Sequence, residues 1–122
     1  MEDHFTRQEK LEQRTSDFGI EVIDLCKSIK LTHLDSSIIN QLIRSATSIG
    51  ANYMEANGAS SRKDFKNKIF ICKKEAKESK HWLQMILHLH PEKKTEITSL
   101  TQETKELTLI FSKICGSLSN SK

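Results

Sequence analysis

Apolar and small residues recur along this chain at alternating steps of three and four, with polar residues filling the intervals. That step keeps a single stripe on one face of an α-helix, because 3.6 residues complete a turn. The first stripe, Leu11, Thr15, Phe18, Val22, Leu25 and Ile29, predicts a helix over about 8–30 whose last turn, at Lys30, is basic and suits the negative end of the helix dipole. The second, Ile39, Leu42, Ala46, Ile49, Tyr53 and Ala56, predicts a helix over about 36–57, with Asp35 as N-cap and Asn57-Gly58 supplying left-handed residues at its close. The third, Phe65, Ile69, Cys72, Ala76, Ser79, Leu83 and Ile86, predicts a helix over about 62–89 that starts after Ser60 or Ser61 and carries Asp64 in its positive first turn. The fourth, Ile97, Leu100, Thr104, Leu107, Phe111, Ile114 and Leu118, predicts a helix over about 92–116. Pro91 either stops the third helix or begins the fourth, since it cannot sit inside one.

Four seams of this kind joined by short links predict an all-α fold, an antiparallel up-down-up-down four-helix bundle. Nothing alternates with period two, so strands are not expected. The tail after Gly116, SLSNSK, and the extreme N-terminus are expected to fray. With 122 residues, one proline and four glycines, the chain is expected to form one domain around one core.

Two departures from a plain bundle pattern stand out. Ser45, Ala46, Ser48, Gly50 and Ala51 give the second helix a thin face. A helical glycine costs about 1 kcal/mol relative to alanine, so Gly50 predicts a tight helix crossing at which a side chain would be blocked. Whether that crossing lies inside one chain or between chains is open. Beside the core stripes, Lys68, Glu75 and Trp82 repeat every seven residues on the third helix, as Ser45 and Asn52 do on the second. A single core needs one stripe per helix, and a second one ending in Trp fits an interface to another subunit. An oligomer is therefore expected.

Charge changes the picture through its distribution. The overall balance is only +3 at pH 7, but Arg62, Lys63, Lys66, Lys68, Lys73, Lys74, Lys77 and Lys80 stand against Asp64, Glu75 and Glu78 between residues 62 and 80, a net of +5. Lys66, Lys73, Lys77 and Lys80 step by seven, four and three and share one helix face, which repeated around an oligomer would attract polyanions with a steep salt dependence. Glu55, Glu75 and Glu78 with Arg44, Lys68 and Lys74 are expected to form ion pairs between the second and third helices. The fourth helix balances Glu92, Glu96, Glu103 and Glu106 with Lys93, Lys94, Lys105 and Lys113, so nucleic acid is not expected to bind through that side.

Other chemistry finds little support. Ser60, Ser61, Arg62 and Lys63 could hold a phosphate at a helix start, or simply start the helix. His88 and His90 point about 200 degrees apart on a helix, and His33 and His81 are isolated, so no metal site is expected. Cys26, Cys72 and Cys115 are odd in number and lack a C-x-x-C pair, and they read as small apolar residues in a reducing compartment. No nucleophile-and-base pair or carboxylate cleft is evident, so neither catalysis nor a cofactor is expected. Aromatic residues for stacking bases are scarce outside the presumed core, with His4, Phe5 and Tyr53 the candidates, and base-specific RNA reading is not expected. No apolar run approaches the roughly 20 residues needed to span a bilayer, and the N-terminus lacks the apolar segment of a signal peptide, so the expectation is a cytoplasmic protein without a membrane partner.

The segments RSATSIGANYMEA, SSRKDFKNKI and KKEAKESKHWLQMI, in this order, resemble the four-helix bundle proteins encoded within intervening sequences of bacterial large-subunit ribosomal RNA genes, a ribosomal-protein-like family. The resemblance covers about Phe18 to Phe111 and is most specific in the second and third helices. It places motif residues at Arg44, Ser48, Asn52, Glu55, Ser61, Asp64, Phe65, Lys68, Lys74, Glu75, Glu78, Trp82 and Leu83. It implies a ring-shaped homopentamer with a basic surface, similar to the accessory subunit of reverse transcriptase in diversity-generating retroelements. The expectation is a non-enzymatic oligomeric bundle that binds structured RNA or other nucleic acid through Arg62, Lys63, Lys66, Lys73, Lys77 and Lys80; the alternative is a protein interaction scaffold or accessory subunit with solvated lysines.

Overall fold

The computed structural model describes residues 6–120, with side chains through residue 118. Four helices run in chain order, α1 (Arg7–Lys27), α2 (His33–Asn57), α3 (Arg62–Leu89) and α4 (Lys94–Asn120), and no strand occurs among the described residues. Consecutive helices pack against one another as a four-helix bundle, the contact being most extensive between α2 and α3 and least between α1 and α4.

Local chemistry sets the ends of each helix. The Thr6 hydroxyl accepts the Glu9 N–H at 3.1 Å and starts α1. That helix stops three residues before Lys30, at Lys27, because the Ser28 hydroxyl donates to the Leu25 carbonyl at 2.6 Å; Ile29 nevertheless stays buried beyond the helix. For α2 the N-cap is Thr32 and not Asp35. Thr32 accepts the Asp35 N–H at 3.2 Å while the Asp35 carboxylate accepts from the Thr32 N–H at 3.3 Å, a capping box that starts the helix earlier than Asp35 alone would. At the other end Gly58 has φ −99°, and no described residue has positive φ, so α2 closes without the expected left-handed residue. The Gly58 and Ala59 N–H groups instead meet the carbonyls of Glu55 and Ala56 at 3.1 and 3.0 Å, a tight turn that any residue can make.

Ser61 caps α3, accepting the Asp64 N–H at 3.0 Å. Pro91 belongs to neither flanking α-helix: it opens a single 3₁₀ turn, Pro91–Lys93, between them. α4 continues to Asn120, so the segment 117–120 is helical where fraying was expected; buried Cys115 and half-buried Leu118 extend its inner stripe past Gly116. The expectations for residues 1–5, 121 and 122 lie outside the described residues.

The predicted stripes form the core. Phe18, Leu42, Ile49, Ile69, Leu83, Ile86, Ile97, Leu107 and Phe111 are at most 1% exposed, and each buried side chain of this size contributes on the order of 2 kcal/mol. Tyr53 is buried beside Phe111, ring centroids 6.1 Å apart.

The thin face of α2 divides between two neighbours. Ser45 faces α3, where its hydroxyl and that of buried Ser79 lie 2.9 Å apart across the crossing. Gly50 faces α1, but a Cβ built there would sit 3.5 Å from Thr15, an ordinary contact distance. The crossing is close within one chain, yet it does not exclude a methyl group as the glycine's cost implied.

Candidate nucleic-acid interface

Helix α3 has two charged edges, each on one side of its buried stripe. Toward α2, Arg44 Nη1 lies 3.0 Å from Glu75 Oε2, and Arg44 Nη2 bonds Glu78. Lys68 Nζ lies 3.0 Å from Glu55 Oε1. The Trp82 indole N–H donates to Glu78 at 3.0 Å, and this bond first, then Arg44, holds the Glu78 carboxyl below its ordinary value. Trp82 is half-buried against the core, so part of the second stripe is satisfied inside the chain. Asn52 turns back to the Ser48 carbonyl at 2.8 Å, and Ser48 to that of Arg44 at 2.6 Å. Lys74, expected among the ion pairs, is exposed and makes none with the described residues, though its charge helps keep Glu78 ionised. Asp64 and Phe65 are half-buried in the first turn, and Leu83 lies wholly in the core.

Toward α4 and solvent lie Lys66, Lys73, Lys77 and Lys80, spanning about 21 Å of α3 at 1.5 Å per residue. None of the four forms an ion pair with any described residue, and neither do Arg62 and Lys63 at the exposed start of the helix. The first-turn Asp64 N–H there is already taken by Ser61. Lys73 Nζ stands 5.8 Å from the centroid of the Phe70 ring, itself 56% exposed. Lys77, Lys80 and His81 then line a groove of about 480 Å³ with Gln84, Lys105, Thr108 and Leu109.

That groove revises the reading of α4 as a neutral side. Its charges are segregated: Glu103 and Glu106 turn toward α1 and grip Arg14 at 2.7 and 2.8 Å, whereas Lys105 turns toward α3 and joins the lysines there. The paired carboxylates raise the Arg14 pKa further, so this clasp stays ionised.

The remaining candidates for chemistry are structural. The His90 ring joins the bundle's end, Nε2 at 2.8 Å from buried Asp35 and Nδ1 at 3.1 Å from Glu92. Both nitrogens face carboxylates, so the ring is favoured as an imidazolium: Asp35 chiefly, then Glu92, raises its pKa against the cost of burial. Among the described residues no group of His, Cys, Asp and Glu is arranged to hold a metal. The three cysteines are free and buried, and burial pushes the Cys26 thiol up to about 11 and that of Cys72 to about 12, far from a reactive thiolate. No described helix is long and apolar enough to cross a membrane.

The model of the family described as 23S rRNA-intervening sequence protein matches residues 7–113, from the first turn of α1 to near the end of α4. The chain belongs to that family. A crystal structure of a protein with unknown function from the S23 ribosomal protein family of Bacteroides thetaiotaomicron is similar, with 28% identity and a TM-score of 0.74. The likeness covers 85% of this chain and 96% of that one. No curated protein matches. Neither description names a reaction. Every motif residue from Arg44 to Leu83 falls within the family match, as does the basic edge of α3.

Sequence reasoning missed three features of this family member. Lys105 was hidden because net charge per helix says nothing about which way each charge turns. Phe70 was absent from the stacking candidates, whereas Tyr53 is in the core and His4 and Phe5 lie outside the described residues. Its position next to Ile69, off the three-and-four stripe, was the available signal. The Asp35–His90 pair spans 55 residues and left no local pattern to find.

Proposed function

We propose that this chain is a non-enzymatic, oligomeric bundle of the cytoplasm that binds structured RNA by phosphate contacts along the outer edge of α3. The carrying observation is that Lys66, Lys73, Lys77 and Lys80 share that edge with no carboxylate partner among the described residues, while Arg44, Lys68 and Arg14 elsewhere are neutralised. Unpaired cations on one face keep a field outside the molecule, and contact with phosphates releases the counterions condensed on RNA. The family description, which names a protein of ribosomal RNA intervening sequences, supports RNA as the polyanion. Copies arranged in a ring, the homopentamer that the resemblance implies, would bring several such edges together.

The test is RNA binding by fluorescence anisotropy across a salt titration, with molar mass from light scattering on the same sample. Binding that weakens by orders of magnitude between low and moderate salt, at a mass several times 14.0 kDa, is the expected result. A monomer that ignores RNA at low salt would overturn both parts. A second reading, an accessory subunit held by protein contacts, draws on exposed Ile20, Ile23 and Met54 on α1 and α2. Recovery of a stable protein partner without nucleic acid from the native host would favour it.

A further inference from the structure

We propose that Phe70 is a stacking platform for an unpaired nucleobase, so that the outer edge of α3 takes an unpaired stretch of strand as well as the phosphates of folded RNA. This rests on the phosphate-binding reading of α3 and names the form of nucleic acid that the same edge selects.

Exposure alone would carry nothing, because single apolar side chains are common on protein surfaces. The surroundings of this ring decide the matter. Phe18 and Phe111 are at most 1% exposed, whereas Phe70 is 56% exposed, and the residues one turn before and after it are Lys66, Lys73 and Lys74, with Lys77 two turns on. The Lys73 ammonium already lies over the ring face, 5.8 Å from its centroid. A protein partner covering the ring with apolar side chains would also have to desolvate these ammonium groups, which have no carboxylate of this chain to accompany them.

A nucleotide meets both demands at once. Its base offers a flat π-face to the phenyl ring, and its phosphates offer anions to lysines placed one turn away, which on a helix means about 5–6 Å between Cβ atoms. A duplex presents phosphates but keeps its bases stacked inside, so only an unpaired segment can use the ring. Further along, Leu109 is 64% exposed in the groove beside Lys77, Lys80 and Lys105 and gives the strand a second apolar contact. Stacking on a phenyl ring tolerates any base, in accord with the absence of a base-reading constellation.

The experiment compares two RNA probes carrying the same number of phosphates, a single-stranded oligoadenylate and a blunt-ended, fully paired duplex, by anisotropy at one fixed salt concentration. Phe70→Ala is expected to weaken oligoadenylate binding by roughly tenfold or more while duplex binding stays within about twofold. Phe70→Trp is expected to keep or strengthen oligoadenylate binding, with indole fluorescence quenched on complex formation beyond any change that the parent's Trp82 shows. Because the ring is exposed, circular dichroism should show every variant folded. If Phe70→Ala binds oligoadenylate like the parent, while the quadruple Lys-to-Gln variant at 66, 73, 77 and 80 loses both probes, stacking is wrong and the phosphate reading stands. If the parent binds neither probe, the phosphate reading fails and the stacking proposal with it. A lower solution mass for Phe70→Ala would show that the ring covers a second copy of the chain, and would also overturn the proposal.

Discussion

Along the edge that α3 turns toward α2, Lys68 finds Glu55 at 3.0 Å and Glu75 and Glu78 share Arg44; along its opposite edge, Lys66, Lys77 and Lys80 meet no carboxylate of the described chain. The first edge mixes Lys68 with Glu75 and Glu78, whereas the second carries only lysines, and the neighbouring helices add to that difference. α2 offers Arg44 and Glu55 in register with α3's charges, so the field of that seam cancels within a few ångströms. α4 offers Lys105 and holds its carboxylates Glu103 and Glu106 against Arg14 on the far side, so the lysine edge keeps its charge. A paired seam fixes how α2 and α3 sit, and an unpaired edge acts on what lies outside. At physiological salt the Debye length is about 8 Å, enough for four lysines on one face to act together on a polyanion at contact.

Emptying the unpaired edge should have the largest effect. Replacing Lys66, Lys73, Lys77 and Lys80 with Gln should lower RNA affinity by orders of magnitude at low salt and make the log–log salt dependence shallower by roughly three to four. Stability should change by no more than about 0.5 kcal/mol per substitution, because surface substitutions of this kind remove no buried contact. Unaltered RNA binding in this variant would assign the edge to solvent alone.

The paired seam should respond the opposite way. Arg44→Ala leaves Glu75, only 7% exposed, without its cation, and should cost about 1–2 kcal/mol in chemical denaturation, at the lower end because Arg44 is itself half-exposed. Its effect on RNA affinity should stay within about twofold. Adding Glu75→Gln should recover much of the loss, since the neutral amide no longer needs a counter-charge. A fully stable Arg44→Ala chain would show that the seam does not depend on its ion pairs.

A third charged locus, at the bundle's end, responds to pH. The His90 pKa is raised above its ordinary 6.5 by Asp35 first and then Glu92, so this contribution to stability is full below 6.5 and fades as pH rises through the raised value. The Asp35 carboxyl is lowered below 3.8, by the Thr32 hydroxyl first and then His90, so its contribution is present above 3.8 and fades as pH falls through the lowered value. Melting temperatures followed by circular dichroism should therefore decline from about pH 6.5 upward, and His90→Asn should flatten that decline. Equal pH profiles for the two proteins would remove the pair from the account.

The smallest effect is expected on the thin face of α2. Gly50→Ala puts a methyl group 3.5 Å from Thr15 and removes the helix penalty of glycine, so stability should hold or rise by up to about 1 kcal/mol. A clear loss with alanine would mean that α1 and α2 cross more tightly than this geometry allows.

Much of the fold was legible because a helix repeats locally. Val22, Leu42, Ile69 and Leu107 declare their inward faces by spacing to near neighbours, and Ser61 caps its helix using only the residues that follow it. Errors arose where two local signals competed. Asp35 has the chemistry of an N-cap, but Thr32 three residues earlier could use it as the returning arm of a capping box. The pairing of Arg44 with Glu75 and Glu78 and the lysine face of α3 could be anticipated from the sequence, whereas Lys105 joining Lys77 and Lys80 could not, since that depends on how α4 is turned.

The number and faces of the helices follow from residue spacing alone, because apolar burial acts on residues three and four apart and needs no distant partner to be read. Which charges survive at the surface is settled by how the helices pack. Whether an ammonium is neutralised depends on what another helix places within about 4 Å of it, and that distance is set by packing between residues as far apart as Arg14 and Glu103 or Asp35 and His90. The same packing left Phe70 outside the core among lysines, while Tyr53, equally aromatic, went in.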